Sequence, residues 1–177
     1  RVRPQEPPQL AERRVIFEDQ RVASPYLVRI YLAQNRQSGN QEQAAALSLL
    51  ADLLGSSGIA SELGRNLQLE QEIAVSTGAW YSGDSLDPDE FGLFVVPSQG
   101  VSLADAEAAM DEVLANFAIE GVDPAQLDRV KATRIANEIY GMDDQFHLAQ
   151  RYGVALTTGL NLDDVAAWPQ VLDAVSA

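Results

Sequence analysis

The chain has 177 residues, 46% of them hydrophobic, which suits one well-buried core and not two large ones. A formal net charge of −14 argues against nucleic acid or an anionic membrane surface as the main partner, while a basic or unfolded peptide stays compatible. Having no cysteine excludes disulfides, thiolate metal sites and cysteine nucleophiles, and no apolar run approaches the roughly 20 residues that cross a bilayer.

Residues 1–12 are rich in Pro and Gln and read as a linker from a preceding domain, with 13–177 as a single domain. Residues 14–19 carry Val15, Ile16 and Phe17 and predict a first strand. Residues 25–33 predict a second, with Tyr26, Val28, Ile30 and Leu32 on one face. Asn40 is placed to cap a helix over 41–54, with Gln43 as its capping-box partner and Leu47, Leu50 and Leu54 on one stripe; Gly55 should end it.

The stretch 61–81 then organises the chain. A short helical piece puts Leu63 and Leu67 on one side, a polar corner follows over 69–72, and β-branched, small and aromatic residues predict a strand over 73–81. An Asp- and Pro-rich turn leads to a strand over 91–96, stopped by Pro97. Helices follow over 102–119 and, from the Asp123-Pro124 start, over 124–140. Another begins at Asp143 or Asp144 and runs to about Ala155, and a last spans 162–174 with Asn161 or Asp163 as its cap. The order β-β-α-α-β-β-α-α-α-α predicts an α+β domain, one mostly antiparallel sheet of about four strands covered by helices.

Motifs that carry chemistry are scarce. His147 is the single histidine, so no zinc-peptidase pattern can form, and it reads as a structural or surface residue. Asp84, Asp87, Asp89 and Glu90 do not follow calcium-loop spacing and read as a solvated turn. Ser56-Ser57-Gly58 reads as a helix end, since no nucleophile elbow is present. Trp80 and Tyr81 read as the edge of the core, Trp168 as the anchor of the last helix, and Met110 with Phe117 as core. The strand over 73–81, if at an exposed edge, could take an extended peptide by backbone pairing.

Several blocks in order carry a resemblance: the extended segment 25–33, LLGSSG at 53–58, SELGRNLQLEQEIAVS at 61–76, GLFVV at 92–96, and Gly121-Val122-Asp123 with QLDRVK at 126–131. Together they resemble the C-terminal structural domain of the zinc metallopeptidases that include pitrilysin, insulin-degrading enzyme and mitochondrial processing peptidase (peptidase family M16, LuxS/MPP-like fold). The resemblance implies the half of a substrate chamber that lacks the metal, cut before its last strand. Zinc would sit in the other domain, where it would polarise a peptide carbonyl. It further implies a peptide or unfolded polypeptide substrate, a preceding catalytic domain in the same chain or in a partner subunit, and a bacterial periplasmic setting.

In that family the second domain offers an arginine and, seven residues later, a tyrosine, in a pattern like L-R-E-K-x-G-L-A-Y-S. Aligned on Leu67, this chain has Gln68 at the arginine position, Glu72 at the glycine and Val75 at the tyrosine. Gln68 carries no charge and Val75 no hydroxyl; Arg65 is the possible substitute. Loss of one oxyanion-type donor costs about 3–4 kcal/mol of transition-state stabilisation. The resemblance therefore implies a domain of a zinc metalloendopeptidase, inactive alone, or alternatively a domain of a catalytically inactive partner or scaffold subunit. An unrelated α+β binding domain is the third possibility.

Overall fold

The computed structural model describes residue 7 and residues 10–177, so the linker expected over 1–12 lies largely outside the described residues. Three strands, β1 (Leu27–Ala33), β2 (Ala74–Tyr81) and β3 (Asp89–Pro97), pair antiparallel in the order β1-β3-β2. Alternation along β3 decides the two faces of this sheet. Phe91, Leu93 and Val95 point into the core. Gly92 and Phe94 lie on the other face, opposite Ile30 and Val28 of β1 and Trp80 and Gly78 of β2.

The strand expected over 14–19 does not form, so the sheet has three strands among the described residues instead of about four. Val15, Ile16 and Phe17 are 89%, 78% and 77% exposed. What holds this segment is a forked ion pair: both terminal nitrogens of Arg14 donate to Glu107, at 2.8 and 2.7 Å. An apolar run forms a strand when it finds both a backbone partner and a face to bury, and here a side-chain tether takes the place of both.

Helix α1 (Glu42–Ala51) starts later than its sequence signal suggests, and Asn40 does not cap it. Asn40 instead closes a tight turn onto the Gln37 carbonyl. Gln41 takes the cap position with no side-chain capping bond, because its amide is used elsewhere. Its oxygen accepts from two nitrogens of Arg36 and its nitrogen donates to the Asp164 carbonyl.

Past Ala51 the helix does not stop at Gly55 but widens into a π-helical stretch, Asp52–Ser56. A 3-10 turn, Gly58–Ala60, and a second π-helical stretch, Gly64–Glu70, lead to β2. Gly55 is demanded by packing: a Cβ there would sit 2.1 Å from the Ala79 nitrogen of β2.

Four helices follow: α2 (Leu103–Glu120), α3 (Pro124–Tyr140), α4 (Gln145–Thr158) and α5 (Leu162–Ala174). Asp123 caps α3 ahead of Pro124, and Asp144 caps α4, which runs three residues beyond Ala155. Asn161 and Asp164 form a reciprocal capping box on α5. The main core lies between the sheet, the π-helical stretches and α2, around Leu63, Leu67, Val95 and Met110. A second cluster joins α1, α3 and α5 around Leu49, Leu53 and Trp168. Helix α1 is therefore buried on two sides, so its expected stripe is only partly the buried one: Leu54 is core, while Leu47 and Leu50 are half-buried. No helix among the described residues is long and apolar enough to cross a membrane.

Candidate functional site

The corner between the second π-helical stretch and β2 holds the three residues singled out in sequence. Ser61 opens it, its hydroxyl accepting the Gly64 backbone N–H at 3.2 Å. Leu63 and Leu67 are fully buried and fix the stretch against the core. Gln68 then turns toward the sheet, where its amide nitrogen donates to the Thr77 hydroxyl at 2.7 Å. Val75 sits at a bulge, where β2 slips register between Ala74 and Ser76, and is 62% exposed. Arg65 spends its guanidinium on Glu62 at 2.6 Å, with Glu70 at 3.8 Å.

The corner thus offers a neutral amide already bonded to a neighbour, an exposed aliphatic side chain and an arginine held by carboxylates. Only Gln68 is drawn onto β2; Arg65 is turned to its own stretch. None of the three supplies a free cation or a hydroxyl donor at the Val75 position.

Glu72 is the residue that sequence reading undervalued. It stands where the related pattern has glycine, and its φ of 53° lies in the left-handed region that side chains other than glycine resist. The substitution was visible in the sequence, but the backbone geometry it must adopt was not.

Both ends of the sheet order are edges. Among the described residues β1 has no partner on its outer side. On β2, the Ser56 hydroxyl donates to the Ala79 carbonyl at 2.7 Å and Gly55 packs against Gly78 and Ala79, so part of that strand is already engaged. The face away from the core carries Val28, Ile30 and Leu32, all exposed, beside Phe94 and Trp80. Trp80 lies over Gly92, and its indole nitrogen donates to Glu90 at 2.7 Å. Tyr81, on the opposite face, donates to the Gln34 carbonyl, and burial pushes its hydroxyl up to about 12.

The remaining candidates separate. Asp84 pairs with Arg36 at 2.9 Å and Glu90 serves Trp80, so the acidic turn is not a converging ligand set. His147 is exposed near the start of α4, its ring beside Gly141. Trp168 is buried and lies under the Arg36 guanidinium, 3.9 Å from its carbon to the ring centre. Among the described residues no group of three or more His, Cys, Asp or Glu side chains could hold a metal ion. The described residues therefore do not fit zinc, which needs at least three protein ligands.

Comparison with known proteins places these features. Residues 1–134 match the family described as the Peptidase M16 inactive domain. No curated protein matches. Among solved structures, a protease from Helicobacter pylori superposes with a TM-score of 0.75 at 17% identity, over 89% of this chain and 36% of that one. The inactive peptidase domain from Bordetella parapertussis gives 0.72 at 14% identity, over 88% and 82%. The peptidase M16 inactive domain from Pseudomonas fluorescens gives 0.66 at 14%, over 85% and 35%. This chain thus spans about a third of the length of the first and third of these proteins. At such identities the superpositions speak for the fold, and the family match over three quarters of the sequence speaks for descent: the chain belongs to the Peptidase M16 inactive-domain family.

Proposed function

We propose that this chain is a non-catalytic wall of an M16-type chamber that handles peptide or unfolded polypeptide. It belongs to a catalytically inactive partner or scaffold subunit, which acts beside a metal-bearing domain carried by another chain. The observation that carries this reading is the 67–77 corner. Gln68 is bonded to Thr77, Val75 has no donor, and Arg65 is held by Glu62 and Glu70. A peptide carbonyl presented there would gain neither a cationic nor a hydroxyl donor, so the reading favours a partner or scaffold role over a direct share in catalysis. The uncovered apolar face of Val28, Ile30 and Leu32 supports an adjoining domain, since exposed patches of this kind mark contact surfaces.

A second reading keeps the parent protein an active zinc metalloendopeptidase, with this chain closing the chamber and the metal in the other domain. Family membership favours it. One set of measurements separates them: zinc content and cleavage of a fluorogenic peptide, for this chain and for the intact parent polypeptide. The proposal expects neither property in this chain and no cleavage by the parent. Cleavage by the parent alone moves the assignment to the second reading. Stoichiometric zinc or turnover in this chain alone overturns both.

A further inference from the structure

The sheet face turned away from the helices is laid out in rows. Register puts Leu32 beside Glu90, Ile30 beside Gly92 and Trp80, and Val28 beside Phe94 and Gly78. Val28, Ile30 and Leu32 are 43%, 57% and 44% exposed, while Trp80, Phe94 and Glu90 are half-buried. The two glycines give the rings room to lie down. A Cβ on Gly92 would fall 2.0, 2.2 and 2.4 Å from the Cζ2, Cε2 and Cη2 carbons of Trp80. Such near-equal distances to adjoining ring atoms place the indole flat over the glycine, one face on the backbone and the other turned outward. A Cβ on Gly78 would likewise meet the Phe94 ring at 2.2 Å, and the two rings lie 6.5 Å apart.

Glu90 is the one charged side chain in these rows. One of its oxygens accepts the Trp80 indole N–H at 2.7 Å, which fixes ring and carboxylate side by side. Its other oxygen has no partner among the described residues. A flat indole with a carboxylate at its rim suits a cation that is itself flat. A guanidinium stacks on such a ring and donates to the carboxylate, whereas the compact, strongly hydrated ammonium of lysine gains less. The remaining positions offer only apolar contact. A net charge of −14 favours a basic partner and disfavours a second copy, which would bring the same charge.

We propose that this face docks a segment of the adjoining chain that carries one arginine between apolar residues. The guanidinium lies on Trp80 and takes the free oxygen of Glu90. Apolar side chains two positions to either side, on the same face of an extended segment, settle on Val28, Ile30 and Phe94. The inference deepens the reading above by giving the chemistry of the partner, and rests on it for there being an adjoining chain. Its test needs this chain alone, so its outcome is separate from the zinc and cleavage measurements.

The test follows the two tryptophan indole N–H signals of the full chain by heteronuclear NMR, assigned with Trp80→Phe. Trp168, buried in the second cluster, is the internal reference. The probes are acetyl-Leu-Thr-Arg-Thr-Leu-amide and three versions with lysine, citrulline or leucine in place of arginine. Saturable movement of the Trp80 signal alone is expected. The Kd should be about 1 mM or tighter for the arginine peptide, and about fivefold or more weaker for the other three. Glu90→Gln keeps an acceptor for the indole but loses the charge, and should weaken the arginine peptide about threefold to tenfold. Ile30→Thr should weaken it several-fold while the melting curve holds, and Ile119→Thr, 82% exposed near the far end of α2, should leave it unchanged. The inference is overturned if no peptide moves the Trp80 signal saturably, if any of the other three binds as tightly as the arginine peptide, or if Glu90→Gln binds as the parent chain does. Movement of that signal with protein concentration alone assigns the face to a second copy and overturns it as well.

Discussion

Alanine at Gly55 isolates the contact that holds the first π-helical stretch against β2. A Cβ at that position would stand 2.1 Å from the Ala79 nitrogen, 2.3 Å from the Gly78 carbonyl carbon and 2.7 Å from the Gly78 Cα. Carbon contacts settle at about 3.5–4.0 Å, so the stretch must withdraw from the strand by about 1 Å or more. Every obstructing atom is backbone, and no side chain can rotate away. Overpacking costs typically about 1–3 kcal/mol, and a rigid site belongs at the upper end. The 2.7 Å bond from the Ser56 hydroxyl to the Ala79 carbonyl would lengthen in the same movement. Allowing about 3 kcal/mol, and about 2–4 °C per kcal/mol for a domain of this size, the melting temperature should fall by about 6–12 °C. Gly153, within α4, has nothing within 4 Å of its would-be Cβ and no positive φ. The same substitution there should raise stability by about 0.5–1 kcal/mol. Paired thermal scans with urea titrations provide the assay. If Gly55→Ala melts within about 2 °C of the parent chain, the close approach does not constrain the fold as argued.

Hydrogen bonds from Arg14, then Arg29, hold the Glu107 carboxyl down at about 2, well below its ordinary 4.5. Its contribution is therefore intact above about pH 4.5 and is lost as pH falls toward 2; Glu107→Gln should flatten that part of the urea-midpoint profile against pH. Glu72→Gly relieves a left-handed residue, and the relief offsets the chain entropy of glycine. Chemical denaturation should show a change between zero and about 1 kcal/mol of added stability, where an ordinary helical site would lose that much. Asn161→Ala removes one arm of the α5 capping box and its bond to the Ser38 hydroxyl, so a loss of about 1–2 kcal/mol is expected by the same method.

Local signals in the sequence reached as far as local physics extends. Asp123-Pro124, Asp144 and Asn161 each place a capping oxygen beside free backbone N–H groups, and all three helices start where those residues stand. Strands β2 and β3 were legible from their β-branched and aromatic runs. Residues 14–19 were not, because Val15, Ile16 and Phe17 supply strand propensity while Arg14 commits the segment to Glu107, 93 positions away. Asn40 failed as a cap for a similar reason: Gln41 is claimed by Arg36 and by the Asp164 carbonyl, partners that come together only on folding. At the corner, the replacement of arginine and tyrosine by Gln68 and Val75 could be read directly. The bond from Gln68 to Thr77 and the left-handed backbone of Glu72 could not.

The π-helical windings on either side of the 3-10 turn give the polypeptide some slack just ahead of β2. Each loop of such a winding spans one residue more than an α-helical loop, so it can absorb a lost residue by tightening. That protects the sheet, in which a one-residue slide would turn every inward side chain of β2 outward. A single deletion within Gly64–Glu70 should therefore be taken up by rewinding of that coil, with Thr77 still opposite Val95 and Ala79 still opposite Leu93.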